Sequence, residues 1–189
     1  MRKAIFMDRD GVINKNVKNL SSPKDFVMFP DVPTAIKKIN NAGYLVIIVT
    51  NQPNISKGFC TFKDLENIHN KMKKLLYKYG AKVDEIYVCP HHPEKGFEGE
   101  ITELKFDCKC RKPKPGLLLQ AIKEQGINPK DSWMIGDSDS DIIAGKSAGC
   151  RTVFLTKGGG SGAKHEINLK VKPDKKFKDL REAIEFILR

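Results

Sequence analysis

Five short apolar runs separated by helical patterns constrain this chain more than any other feature. Lys3 to Met7 reads as a buried strand that ends where carboxylates begin. Tyr44 to Thr50 (YLVIIVT) is β-branched and apolar almost throughout, the composition of a central parallel strand. Glu85 to Cys89, Ser132 to Ile135 and Thr152 to Leu155 supply three more. Asp31 is expected to cap a helix that runs to about Ala42 and stops at Gly43. Thr61 opens a long amphipathic helix with apolar Leu65, Ile68, Met72, Leu75, Leu76 and Tyr79, closed by Gly80. Further helices are expected from Pro115 to about Gln125, from Ser140 to Ala148, and from Phe177 to Leu188. Strand–helix alternation of this kind predicts a doubly wound α/β fold, a mainly parallel sheet with helices on both faces.

In such sheets ligands bind beyond the carboxyl ends of the strands. The unusual polar residues fall there: Asp8 and Asp10 after the first strand, Thr50 and Asn51 after the second, Cys89 and His91 after the third, Asp137 after the fourth. Packing alone gives no reason to collect polar groups at one end of every strand.

A length of 189 residues fits one domain spanning 1–189, with no room for a large cap. No apolar run reaches the roughly 18 residues that a membrane helix needs. Asp8, Arg9 and Asp10 cut short the apolar stretch after Met1, so a cytoplasmic protein is expected. The net charge of +11 raises a nucleic-acid partner, yet the lysines are scattered singly and in pairs along the chain. A solvated lysine-rich surface is expected instead, whose field favours a small anionic substrate. The five cysteines, an odd count, argue against a disulfide framework, and three of them cluster with histidines.

Asp8 and Asp10, two apart on an extended segment, point to one side, and Gly11 lets the backbone turn away. Two adjacent carboxylates repel unless a cation lies between them, and a hard oxygen-liganded ion such as Mg²⁺ fits. Gly136-Asp137-Ser138-Asp139-Ser140-Asp141 follows a strand and opens a helix. Asp137 is thus placed to meet Asp8 and Asp10, while Asp139 and Ser140 suit the helix start. A hydroxyl at Thr50 and an ammonium at Lys112 are groups that a transferring phosphoryl requires.

Together DRDGVIN, VTNQ, RKPKPG and GDSDSD, spread over Asp8 to Asp141, resemble the four motifs of haloacid dehalogenase (HAD) superfamily phosphatases. The resemblance implies a HAD-like Rossmannoid fold in which Asp8 attacks phosphorus and forms an aspartyl-phosphate. It further implies that Asp10 protonates the leaving oxygen and then activates water, with Thr50 and Lys112 holding the phosphoryl oxygens. Mg²⁺ would be held by Asp8, the Asp10 carbonyl and Asp137, with Asp141 orienting the acidic loop. Asn14, Asn51 and Gln52 of the same motifs would line the substrate.

Cys89-Pro90-His91 and Cys108-Lys109-Cys110 make a Cys₃His set suited to tetrahedral zinc, with His92 a competitor to His91. The segment between, poor in large apolar residues, needs such a staple to order. CPHHPE and CKCRKPKPG are similar to the zinc loop of heptose 1,7-bisphosphate phosphatases and of the histidinol-phosphate phosphatase domain. That resemblance implies a small insert, 89–110, in which Cys89, His91, Cys108 and Cys110 bind Zn²⁺ and Arg111 reads the substrate. Pro53 and Ser138 depart from the family pattern, and Pro53 lacks a backbone N–H. The expected substrate is a small phosphorylated sugar, cleaved at the C7 phosphate of a heptose 1,7-bisphosphate by a monomeric enzyme. Competing readings are a histidinol-phosphate phosphatase, a polynucleotide 3′-phosphatase and a non-catalytic zinc module binding nucleic acid. The set Asp8, Asp10, Lys112 and Asp137 speaks against the last. Short loops, Lys15–Pro30, Pro53–Cys60 and the zinc loop, are expected to close the site, with Lys57 assisting Arg111 at a second phosphate.

Overall fold

The computed structural model describes residues 1–157 and 171–189. Six strands are found there: β1 (Ala4–Met7), β2 (Leu45–Asn51), β3 (Glu85–Cys89), β4 (Trp133–Gly136), β5 (Arg151–Leu155) and β6 (Lys175–Phe177). The helices are α1 (Val32–Asn41), α2 (Phe62–Tyr77), α3 (Gly116–Gln125), α4 (Asp139–Ser147) and α5 (Leu180–Ile187). One sheet runs β3-β2-β1-β4-β5-β6 with every neighbouring pair parallel.

Alternation along the strands splits the core in two. Ile5, Met7, Val46, Ile48 and Ile135 face one layer with residues of α1, α2 and α5. Ala4, Phe6, Ile47, Val49 and Met134 face the other, with α3 and α4. Both faces are therefore covered, which is why the strands read as continuous apolar runs rather than alternating ones.

The chain winds outward from β1 to β3, then crosses to β4 and winds outward again. The reversal lies between β1 and β4, where doubly wound sheets open their ligand crevice. Met7 pairs in register with Ile48 and with Ile135, so β1 and β4 end within one residue of each other and β2 runs three residues further. Asp8, Thr50 and Asp137 consequently emerge at one edge.

Four local expectations are corrected. The last helix starts at Leu180 rather than Phe177, because Lys175–Phe177 joins β5 as a sixth strand. Asp31 precedes α1 but its side chain makes no cap; its Oδ2 accepts from the Arg181 N–H at 3.3 Å, tying α1 to α5. Tyr79 lies beyond the end of α2 and is exposed rather than on its buried face. The start of α4 is fixed by Ser138, not by Asp139 or Ser140. Thr61 does open α2, through reciprocal hydrogen bonds with Asp64.

Candidate active site

A cleft of about 710 Å³ opens at the carboxyl edge, and Asp8, Asp10, Gln52, Asp137 and Ser138 are among its lining residues. Asp8 follows β1 directly. Its Oδ1 accepts the N–H of Arg9 at 2.7 Å and lies 3.0 Å from Nζ of Lys112. Burial pushes the Asp8 carboxyl up to about 6; Lys112 opposes the shift, and the negative charges of Asp141 and Asp10 add to it.

Lys112 is buried, and its ammonium reaches Asp8, Asp141 Oδ1 at 2.6 Å and the Val49 carbonyl at 2.8 Å. Three acceptors match its three protons. Burial works against its charge, but Asp141 and Asp8 outweigh that and hold its pKa above the ordinary lysine value. The Lys112 backbone is clamped in turn by Asn51, whose Nδ2 donates to the Lys112 carbonyl at 3.0 Å and whose Oδ1 accepts its N–H at 3.1 Å.

Asp8, Asp137 and Asp141 each bring a carboxylate oxygen within 4.8 Å of the others. Asp141 is committed to protein partners: besides Lys112, its Oδ2 accepts the N–H and the Oγ of Ser138 at 3.1 and 2.6 Å. Gly11 makes the close approach of the loops feasible. Its φ is +85°, and a Cβ there would collide with the Asp137 carboxylate. Three clustered carboxylates, with the Asp8 carboxyl raised by burial and by its acidic neighbours, suit a hard divalent cation.

Asp10 is held from three sides. Its carboxylate accepts from Arg9 Nη2 at 2.8 Å, Asn14 Nδ2 at 2.8 Å and Gln52 Nε2 at 2.8 Å. Gln52 Nε2 also donates to Thr50 Oγ1 at 2.9 Å, leaving the threonine proton for another acceptor.

Beside this cleft the thiols of Cys89, Cys108 and Cys110 lie 3.2 to 3.4 Å apart, and His91 Nδ1 lies 3.2 Å from Cys110 and 3.7 Å from Cys89. A tetrahedron with Zn–S bonds of about 2.3 Å has S–S edges of about 3.8 Å, somewhat wider than these separations, and the donor set of three thiols and one imidazole suits such an ion. The Arg111 N–H donates to Cys108 Sγ at 3.3 Å, an outer hydrogen bond of the kind that orients a metal ligand. His92 stands aside: its Nδ1 accepts the Glu94 N–H at 3.2 Å, so His91 is the member of the cluster.

A family profile described as HAD-hydrolase-like matches residues 109–183. The chain is 41% identical over 157 residues to the D-glycero-alpha-D-manno-heptose-1,7-bisphosphate 7-phosphatase of Photorhabdus laumondii, covering 83% of this chain and 84% of that one. It is 40% identical to the D-glycero-beta-D-manno-heptose-1,7-bisphosphate 7-phosphatase of Pasteurella multocida, covering 84% of each. The chain belongs to the heptose-1,7-bisphosphate 7-phosphatase family. Among solved structures, the D,D-heptose 1,7-bisphosphate phosphatase of B. bronchiseptica, complexed with magnesium and phosphate, superimposes with a TM-score of 0.85 at 30% identity, covering 98% of both chains.

Membership in the heptose-bisphosphate phosphatase family does not place every expected residue in the cleft. Asp8, Asp10, Asn51, Gln52 and Asp137 line it, and Thr50 and Lys112 stand behind them. Asn14 is fully buried outside the cleft lining, and its Nδ2 holds Asp10. Arg111 sits in the zinc loop outside the cleft lining, its Nη1 donating to the His91 carbonyl at 3.4 Å. Lys57 pairs with Glu94 at 2.7 Å. Pro53 lines the cleft, and its carbonyl accepts from Lys57 N and Ser56 Oγ at 3.0 Å each. Sequence reasoning missed Arg9 and His69. Arg9 is fully buried, and its Nη1 lies 3.2 Å from His69 Nε2.

Proposed function

We propose that the protein removes the C7 phosphate of D-glycero-D-manno-heptose 1,7-bisphosphate through an aspartyl-phosphate on Asp8. The observation that carries this reading is the fixation of one Asp8 oxygen by the Arg9 N–H and Lys112, with Asp10 two residues on at the cleft. The similarity to relatives named for both anomers supports the substrate class and leaves the anomer open. An Asp8 oxygen attacks phosphorus, Asp10 gives its proton to the leaving oxygen, and Asp10 then takes a proton from the water that cleaves the acyl phosphate. Lys112 and Thr50 offset phosphoryl charge, Lys112 from its contact with the nucleophile. Asp8, Asp137 and the Asp10 carbonyl would hold Mg²⁺, which supplies charge neutralisation at the phosphoryl group. Cys89, His91, Cys108 and Cys110 would hold a structural Zn²⁺.

Arg9 and Lys18 are the cations lining the cleft. Arg9 is committed to Asp10, whereas Lys18 is exposed on a turn of the 15–30 segment. Lys18 therefore takes the second phosphate in this reading. All five cysteines are free thiols, which supports a cytoplasmic site of action. No helix among the described residues is long and apolar enough to cross a membrane. The chain acts as one domain and as a monomer, which gel filtration checks.

The test compares kcat/KM on heptose 1,7-bisphosphate, heptose 7-phosphate, histidinol phosphate and a 3′-phosphorylated oligonucleotide. The bisphosphate is expected to be preferred, and Asp8→Asn to lose roughly 10³-fold or more in turnover while remaining folded. Lys18→Ala should shrink the bisphosphate preference roughly tenfold, the worth of one charge-assisted contact. Equal rates on mono- and bisphosphate would remove the second-phosphate role. A preference for histidinol phosphate or the oligonucleotide would overturn the substrate.

A further inference from the structure

We infer that His69, on a helix that lends no residue to the cleft, is a positioning residue that fixes Arg9 and through it the carboxylate of Asp10. The inference rests on the proposed acid–base role of Asp10. Arg9 is fully buried between two acids that face the cleft. Four of its five N–H groups have partners: Nη2 donates to Asp10 Oδ2 at 2.8 Å and Gln52 Oε1 at 3.0 Å, Nε approaches Asp10 Oδ1 at 3.4 Å, and Nη1 meets His69 Nε2 at 3.2 Å. Arginine has donors only, so Nε2 of His69 must be the acceptor and the ring must carry its proton on Nδ1. A cationic His69 has no lone pair for Arg9 and would repel it.

The surroundings favour this neutral form. Burial lowers the His69 pKa to about 4, the positive charges of Arg9 and Lys73 add to the effect, and Asp10 opposes it. Leu65, Ile68, Met72 and Leu76 are buried on the same helix face, so the ring has little room to turn. With the histidine as acceptor, the plane of the guanidinium is fixed, and so is the orientation of the carboxylate that must give a proton to one oxygen and take it from another. Arg9 borders the cleft, but its guanidinium is committed to Asp10, Gln52 and His69, so the effect of His69 is exerted through Asp10.

The experiment compares His69→Leu and His69→Gln with wild type. The leucine keeps the bulk and loses the acceptor, while the glutamine offers an Oε1 acceptor. His69→Leu should lower kcat roughly tenfold, a part of the 10²–10⁴-fold that a general acid–base group contributes, with KM changed less than about twofold. His69→Gln, which offers an acceptor again, should restore kcat. A folded His69→Leu protein with wild-type kcat would overturn the inference. Should that variant fail to fold, ¹⁵N shifts of the His69 ring in wild type still decide, since an Nε2–H tautomer or a cationic ring at pH 7 contradicts the geometry. Absence of phosphate release by wild type would instead overturn the functional reading, and the ring tautomer would stand apart from it.

Discussion

A neutral imidazole against a buried arginine makes acid stability a property of one residue. His69 has an ordinary value of 6.5 and a folded value of about 4. Below pH 6.5 the unfolded chain takes up a proton at His69 that the folded chain refuses. Its contribution is therefore fully present above 6.5 and is lost as pH falls toward 4, at about 1.4 kcal/mol per unit. Urea midpoints at pH 7, 6 and 5 should show wild type losing ground to His69→Gln, which does not titrate there; parallel curves would contradict this. Both missed residues were written in the periodicities used to read the chain. If Asp8 and Asp10 face one way, the residue between them faces the other, so Arg9 had to enter the interior. His69 is four residues after Leu65 and three before Met72, on the face read as apolar. What the pattern hides is that they meet, because the 60-residue separation between them closes only in the folded sheet. Asp8, Asn51 and Asp137 were legible because each sits at the carboxyl end of a strand, whereas Lys112, in the connection before α3, was read from its motif alone. Asn14 and Arg111 were not legible, since a motif specifies proximity to a site and not which way a side chain turns.

Helix α2 also governs the loop on the far side of the cleft. The 15–30 segment closes on itself through Lys15 N to the Val27 carbonyl, lies against Ile13 through Phe29 N to its carbonyl, and buries Leu20 and Phe26. Lys71 of α2 then donates to the carbonyls of Pro23 and Phe26 at 2.6 and 3.0 Å. Those two contacts tether the loop that carries Lys18 and Asn19, the latter at a φ of 53°. Lys71→Met keeps the aliphatic stem and removes the donor. KM for the bisphosphate should rise roughly three- to tenfold, the worth of a charged hydrogen bond at a partly exposed site, while the thermal midpoint moves little. A melting shift with unchanged KM would assign Lys71 to stability alone. At this scale the long helices and the buried strands were readable. β6 was not, since Lys-Lys-Phe carries no periodicity of its own and becomes a strand only by pairing with β5. A three-residue strand is specified by its neighbour.

At the scale of the whole molecule, a loop that begins at the cleft wall with Pro53 and Asn54 is tied to the zinc loop beyond it. The Pro53–Cys60 loop is joined to the zinc loop by the Ile101 N–H on the Ser56 carbonyl at 3.0 Å, by Lys57 on Glu94, and by the edge-to-face pair Phe59 and Phe97 at 5.8 Å. Gly58 lies so close to the Gly99 carbonyl that a side chain would not fit. The Cys₃His cluster closes this body against the sheet, because Cys89 is both the last residue of β3 and a fully buried part of the core beneath it. An ion held there would rest on two buried sulfurs, Cys89 and Cys108, with His91 and Cys110 partly exposed on its outer side. Its release is expected to wait until the clamp between the two loops opens and the buried thiolates part from it. With zinc bound, the rate of loss to a chelator should therefore be independent of chelator concentration at high excess, and Phe97→Ala should raise that plateau. A rate that climbs in proportion to chelator would mean direct attack on an accessible ion. Metal exchange then becomes a clock for how often this loop body parts from the sheet.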